Sequence, residues 1–465
     1  MRLQRDALGQ LTHEELAPGL NRQLRYNSDG LLTEQSLHAG NQGLFATRYD
    51  YDRAGNLTSR HDSAFGKDTY LYDPMGRILK HTDPQGVLHE FFNDPAGDRL
   101  ITQVSGSGSA STVVGRNDEW QRQGSYQGTH YRFDRAGNLT HKQDSQQLLE
   151  LAWDANQRLI ASRRTAKEAA PSVTTYGYDP LGRRLFKETQ GQRTWFGWDG
   201  DAMTLDVIDG QAREFIYRPE TFEPLAVLGQ TAQGQALGTL HYVNDPNGCP
   251  TRLIDGQGQV LWAASYSAWG AIDKLHASTV SNPIRLQGQY EDGETGLYYN
   301  RNRYYEPNIG CFAAADPLGL QPGPNTYSFA PNTYSWTDPL GLTCSSDAKK
   351  LGKNLGSSPT PEYRAHHIVM SNSKDPRMVA LRNKMSGWGI DINDPKNGIW
   401  LPKNASARQA GTKATAHAGE GVHGLAYKQH VFDTLSSSST KEEFTKGLSS
   451  LKSELYSGKT FPTVR

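Results

Sequence analysis

The feature that most constrains this chain is a short phrase that returns along its first three fifths. It consists of an aromatic residue, an aspartate, two variable positions, a glycine, a polar residue and then leucine or isoleucine. Clear copies stand at Tyr51 to Leu57, Tyr72 to Ile78, Phe133 to Leu139 and Tyr178 to Leu185, with weaker ones at Asn93 to Gly97 and Trp153 to Asn156. The aspartates recur about every 20 residues, within the range of roughly 20 to 50 that marks stacked repeats. Each unit reads as strand, turn, strand. The aromatic closes the incoming strand, the glycine four positions later supplies the turn, and the aliphatic residue resumes the alternation. One hairpin cannot bury its own face, so neighbours must stack. The expectation is a mostly β chain, with a hairpin array over residues 1–282 whose aspartates shape turns and catalyse nothing.

Composition agrees. Only 36% of the 465 residues are hydrophobic, while 47 Gly, 23 Pro and 22 Tyr suit short strands joined by tight turns. Cys249, Cys311 and Cys344 are scattered and odd in number, which excludes a disulfide framework or a cysteine zinc site and predicts reduced thiols. There is no run of 18 apolar residues, and the opening Met1-Arg2-Leu3-Gln4-Arg5 lacks the apolar core of a secretory signal. A protein made in the cytoplasm, exported without a signal peptide and without stable membrane association is therefore expected. The array also begins inside a repeat, Gln4 to Thr12, with no capping segment, so the chain reads as the C-terminal part of a larger system or a shortened copy of one.

Charge divides the chain near Leu342. The 123 residues after it carry 18 Lys and Arg against 10 Asp and Glu, a net of +8 that the preceding part balances with −8. A basic segment following an acidic array predicts a polyanionic partner for the former.

At that boundary Asp-Pro-Leu-Gly-Leu occurs twice, at Asp316 to Leu320 and Asp338 to Leu342. Two aspartates brought close cannot both ionise cheaply. They share a proton, leaving one as base and the other as acid, a pair able to drive water onto a peptide bond. Past Leu342 the repeats stop. Ser345 to Pro361 reads as a flexible basic lead-in, Tyr363 to Val369 as a short strand bearing adjacent His366 and His367, and Asn397 to Pro402 as a turn and strand. Asp375-Pro376 predicts a helix start, and Thr440 to Glu443 a capping box ahead of Phe444, Leu448, Leu451 and Leu455 on one helical face. Five of the chain's 14 histidines, His366, His367, His417, His423 and His430, lie in this last part.

Two resemblances carry these features further. The Tyr-Asp repeats, with the segment Ile284 to Leu342, resemble the Rhs (rearrangement hotspot) family and the related C components of insecticidal toxin complexes. The resemblance implies a β shell or cocoon, here partial, closed by a core segment at residues 283–342 that cuts the chain. By position it makes Asp316 and Asp338 the aspartate dyad, Arg303 the accompanying arginine, and Leu342 to Thr343 the cleaved bond. The ordered set Ala365-His366-His367, Asn397-Gly398-x-x-Leu401-Pro402 and His417 with His423-x-x-x-Tyr427 resembles the AHH nucleases of the HNH, or His-metal finger, class. It implies a small α+β toxin domain at residues 343–465. His367 would be the general base, His366 and His423 ligands of a divalent metal (Mg, Mn, Zn or Ni), with His417 replacing or joining His423. Asn397 would orient the base, and His430 would have no firm role. Arg364, Lys403, Arg408 and Lys413 flank these residues and would contact phosphates without reading sequence.

Together these imply a self-processing Rhs effector with a nuclease, cutting DNA in preference to RNA, used against competing cells. Its partners would be nucleic acid, a cognate immunity protein that is acidic where it meets the basic domain, and a secretion component such as a type VI spike. Two other readings stay open: a non-enzymatic cell-surface recognition or adhesion protein, and a metal-independent ribonuclease toxin.

Overall fold

A computed structural model describes residues 2–6, 10–93, 99–104, 110–112, 115–116, 122–219, 221–231, 234–319, 325–342, 351, 354–356, 358–360, 362–371, 373, 375–417, 421–422 and 424–462. Among the described residues the strands form an 11-stranded meander from Arg2–Arg5 to Ala110–Thr112 and a 16-stranded one from Gly115–Arg116 to Ile272–Ser278. Contacts divide the chain into two compact units. One comprises Met1–Arg2, Glu15–Gln23 and Glu34–Cys344; the other comprises Leu3–Glu14, Leu24–Thr33 and Ser345–Arg465.

The repeat phrase produces the hairpins it predicts. In the Asp73 turn, Oδ1 accepts from the backbone N–H of Met75 and Arg77, both at 2.9 Å, and Oδ2 accepts from Arg77 Nε at 2.6 Å. Asp154 with Arg158 and Asp179 with Arg183 repeat this arrangement, and at Asp52 the Asn56 amide takes the arginine's place. Gly76 has φ +76°, a left-handed conformation that glycine adopts without a Cβ penalty. These aspartates are consumed by their own turns, as expected of scaffold residues. The weaker copy at Asn93 to Gly97 has Asp94 to Gly97 outside the described residues.

Along each strand alternate residues enter the core. Tyr131, Phe133, Leu139, Leu159, Phe196, Phe215 and Tyr242 of the long sheet are buried against Tyr298, Tyr299, Tyr304, Tyr305 and Phe312. Those tyrosines belong to a four-stranded sheet, Tyr290–Asp292, Leu297–Asn300, Arg303–Glu306 and Cys311–Phe312. Polar anchors fix this sheet on the array: Tyr305 Oη donates to Trp269 O at 2.8 Å and Tyr290 Oη to Asp206 Oδ2 at 2.8 Å. Arg184 is fully buried, ion-paired with Asp292, and its guanidinium lies 4.4 Å from the Phe196 ring centroid and 4.3 Å from that of Tyr299. Asp292 is also paired with Lys187 Nζ at 3.0 Å, so removing Arg184 leaves the buried carboxylate with one of its two cations and a gap among the rings that Arg184 packs against. Arg184→Ala is therefore expected to lower the thermal midpoint of the array markedly, read by calorimetry, whereas a surface pair such as Arg193–Glu188 is expected to be nearly silent.

The second unit has its own core, in which Ile368, Met378, Leu381, Ile399, Leu401, Tyr427, Val431, Phe444 and Leu448 are all buried. Helix Pro376–Gly387 starts as its sequence signals predict, with Asp375 Oδ1 accepting from Arg377 N and Pro376 in the first turn. Helices Leu425–Leu435 and Lys441–Tyr456 follow. Thr440 caps the latter, its hydroxyl accepting from Glu443 N, while the Glu443 carboxylate reaches back to Ser439 N, one residue before the cap. Most of the proposed flexible lead-in lies outside the described residues, yet Leu351 within it is fully buried and Asn354 Nδ2 donates to Asn393 O at 2.9 Å. Those two residues are packed structure. Leu351 sits where a Cβ on Gly398 would be, 2.3 Å away, which accounts for glycine there.

Candidate functional sites

Arg303 begins its strand in the four-stranded sheet, and its guanidinium draws the two Asp-Pro-Leu-Gly segments together. Nη2 lies 3.0 Å from Asp316 Oδ2 and 3.5 Å from Asp338 Oδ2, so one nitrogen bridges both carboxylates. The three residues are 1%, 4% and 2% exposed. Arg303 also stacks on Phe312 at 3.5 Å and donates to Thr326 O at 3.0 Å. Burial pulls the guanidinium down to about 10, which still leaves it charged at neutral pH. The same burial pushes Asp338 up to about 6, against the lowering effect of Arg303. Asp338 Oδ2 has no hydrogen-bond partner, while Oδ1 accepts from Leu342 N at 3.0 Å. Leu342, the residue expected before the cleaved bond, is thus held at the dyad; Thr343 lies outside the described residues.

The segment carrying the dyad's second aspartate is tightly seated. Gly341 has φ +61°, and a Cβ there would lie 2.4 Å from Asn300 O. Both the conformation and the space require glycine. Gly341→Ala is expected to displace Asp338 from Arg303 and slow any reaction at Leu342 by at least about tenfold, checked by following fragment release on a gel.

In the second unit strand Tyr363–His367 pairs antiparallel with Gly398–Pro402, His366 opposite Ile399 and His367 opposite Gly398. Adjacent strand positions face opposite sides, so the two histidines enter different environments. His366 Nε2 lies 3.0 Å from Tyr427 Oη, and that hydroxyl donates its one proton to Ile368 O at 3.1 Å. His366 must therefore carry its proton on Nε2 and its lone pair on Nδ1. His367 Nε2 lies 3.0 Å from Asn393 Oδ1, an acceptor, which fixes the same tautomer and makes Nδ1 the basic atom.

The hydrogen bonds of Asn397, expected to orient His367, go to the main chain. Its amide accepts from Val369 N at 2.7 Å and donates to Val369 O at 3.0 Å and Ile392 O at 2.9 Å, clamping the backbone just beyond the histidine pair. Asn393 holds the ring instead. In the sequence it lies in Asp391-Ile392-Asn393-Asp394-Pro395, which reads only as a turn, and no spacing signal distinguishes it.

The His417 ring stands edge-on to His366 with centroids 5.4 Å apart, and its backbone N–H donates to Pro402 O at 2.8 Å. Burial and the nearby Arg364 charge hold its imidazole below the ordinary value, so it is neutral at pH 7. His423 lies outside the described residues. Among the described residues no group of three or more His, Cys, Asp or Glu side chains could hold a metal ion. The donor set nevertheless fits one: neighbouring imidazoles, one with its Nδ1 lone pair fixed and the other kept neutral, are the form in which histidine binds borderline divalent cations. His430 is placed elsewhere, with Nε2 2.6 Å from Glu454 Oε2 and its ring beside Phe461. Arg364, Lys403 and Lys413 are exposed and Arg408 is half-buried, its Nε donating to Ala414 O at 2.8 Å.

An array of Asp-turn hairpins ending in a buried carboxylate pair, with a small domain built on a two-histidine strand, defines a repeat-borne, nuclease-like architecture. Family models agree region by region: an RHS repeat over residues 26–66, RHS protein over 240–275, and a nuclease family of the HNH/ENDO VII superfamily with conserved AHH over 349–454. The chain belongs to the Rhs repeat family and ends in a domain of the AHH nuclease family. Toxin protein Tse5 of Pseudomonas aeruginosa is 32% identical over 381 residues, 73% of this chain and 28% of that protein. The probable deoxyribonuclease RhsA of Dickeya dadantii is 31% identical over 422 residues, 83% of this chain and 28% of its own length. Double-stranded DNA deaminase toxin A of Burkholderia cenocepacia is 30% identical over 328 residues, 64% of this chain and 22% of that protein. The chain thus spans about a quarter of the length of these relatives. The solved TcdB2-TccC3-Cdc42 structure shares the fold, with a TM-score of 0.59 at 20% identity over 73% of this chain and 19% of that one.

Proposed function

We propose that the chain is an Rhs effector that cuts itself after Leu342 and carries, in residues 343–465, a metal-dependent nuclease that acts on DNA in competing cells. The repeat array over 1–282 and the core segment over 283–342 form its carrier. The observation that supports this most is the histidine strand, where adjacent His366 and His367 stand on opposite faces and each Nε2 meets its own partner, Tyr427 Oη and Asn393 Oδ1. One face suits a metal and the other a base. A bound divalent ion would stabilise charge on the phosphate and the departing oxygen, and His366 and His417 with His423 would hold it. His367 takes the proton of the attacking water at Nδ1 while Asn393 keeps the ring aimed. Arg364, Lys403, Arg408 and Lys413 draw in the phosphate backbone. A nuclease of this kind calls for an immunity protein in the producing cell, with an acidic face toward the +8 domain, and for a secretion apparatus.

The test is plasmid cleavage by the full chain with and without a chelator. Cleavage lost on chelation and restored by a divalent ion supports the reading. Cleavage of RNA that persists in chelator transfers it to the metal-independent ribonuclease class. A further expectation concerns Asn393→Ala, which leaves the base in place but frees its ring: activity is expected to drop by about tenfold with metal affinity unchanged, measured by initial rates and calorimetry.

A further inference from the structure

Three residues of one hairpin, Asn300, Asn302 and Arg303, grip the main chain on the N-terminal side of Leu342. Asn300 Nδ2 donates to Asp338 O at 2.9 Å. Asn302 donates twice to Leu340 O, from its backbone N–H at 3.2 Å and from Nδ2 at 2.9 Å. Arg303 Nε donates to Gly341 O. Three carbonyls, those of Asp338, Leu340 and Gly341, which lie four, two and one residues before Leu342, are thereby taken by one turn. Arg301 at its tip has φ +53°, and Asn300 pairs with Arg303 across it. From the other side Gly288 leaves no room between itself and Pro339, since a Cβ there would lie 2.1 Å from Pro339 O. Side chains take less part in the grip, Leu340 and Leu342 being only half-buried.

This is how a peptide is held as a substrate, by main-chain carbonyls paired with fixed donors. We propose that Asn300 and Asn302 are positioning residues for self-cleavage, forming with the Asn302 backbone N–H and Arg303 Nε a cradle that sets which peptide bond faces the Asp316 and Asp338 carboxyls. The proposal rests on the self-cleavage reading and extends it. Arg303 thereby has two tasks, bridging the carboxylates through Nη2 and holding Gly341 through Nε. The asparagines have the second task only. Their amides approach backbone oxygens and carry no charge, so their loss alters where and how often the bond is presented and leaves the acid–base pair as it was.

The experiment follows self-cleavage of the full chain by intact mass over time and across pH, for the parent, Asn302→Ala, Asn302→Asp and Asn300→Ala. Asn302 is half-exposed, so its variants fold even if loss of the fully buried Asn300 disturbs packing. Each lost hydrogen bond is expected to slow cleavage by about tenfold, and Asn302→Asp, which sets an acceptor against Leu340 O, by more. For the alanine variants the midpoint of the pH profile is expected to stay with the parent's, and a fraction of product is expected to begin at residues other than Thr343. If the Asn302 variants cleave at the parental rate and at a single bond, or if the slowed alanine variants show a displaced pH midpoint, the cradle assignment is overturned. A parent that does not cleave at all overturns the self-cleavage reading itself and the cradle with it.

Discussion

Asp338→Asn is expected to abolish release of the fragment beginning at Thr343 and, at the same time, to make the protein more stable at neutral pH. The first effect follows from the dyad's division of labour. In the proposed self-cleavage Asp316, ion-paired with Arg303 at 3.0 Å, would take a proton from water, and Asp338, pushed up to about 6 by burial, would give a proton to the peptide. An amide at 338 can donate no proton, so the rate should fall by roughly 10²- to 10⁴-fold. The second effect is linkage. A buried carboxyl whose folded value is raised above an unfolded value of about 3.9 binds more protons folded than unfolded between about pH 4 and 6. Stability is therefore lost as pH rises through that window, on the order of 2 to 3 kcal/mol by neutral pH, and asparagine removes the penalty. Asp316→Asn should also stop cleavage, but with the opposite change in stability, because the buried guanidinium loses its nearest carboxylate. In the parent the rate should decline as pH rises above about 6. Intact mass and thermal melts at pH 5 and 7.5 check all three. Fragment release at the parental rate from either variant would falsify the dyad assignment.

What the sequence made legible was local. The Asp73 turn bonds two and four residues ahead in the chain, and the caps at Asp375 and Thr440 reach no further, so residue order alone specifies them. The pairing of Asp316 with Asp338 was legible for another reason: a repeated phrase marks both ends of one site. The histidine strand was read from its neighbours in the same way, and His366 and His367 stand on opposite faces as alternation requires. What stayed hidden depends on chain segments that meet only after folding. Asn300 touches a carbonyl 38 residues away, and Asn393 reaches a histidine 26 residues behind it. Asparagine is a turn former wherever it occurs, so neither residue differs in sequence from the dozens of amides that shape loops. Asn397 was drawn into the site by its place in the motif. The fold gives it the backbone of Val369 to hold, a task that any fully buried amide in a turn performs as well.

His367→Ala and His366→Ala should part company in the same assay, and that separation is the sharpest test of the nuclease chemistry. His367 Nε2 meets Asn393 Oδ1, and in the proposed mechanism Nδ1 is the atom that would accept a proton from water. Histidine is the side chain suited to this task near neutral pH, whereas lysine would be protonated and serine too weak a base. Removing it should lower plasmid cleavage by the full chain about 10²- to 10⁴-fold while calorimetry finds metal affinity close to the parent's. His366 Nε2 meets Tyr427 Oη, and its ring stands edge-on to that of His417. Its removal should weaken metal binding itself, by about 10- to 100-fold or more, and activity should return in part at high metal concentration. Tyr427→Phe should resemble a mild form of His366→Ala, since it frees the tautomer without deleting the ring. Acid pH should depress activity in the parent because base and ligands protonate together. Equal metal affinity in the two histidine variants would mean that the faces of this strand do not divide the work as described, and full activity in His367→Ala would remove the base from the mechanism altogether.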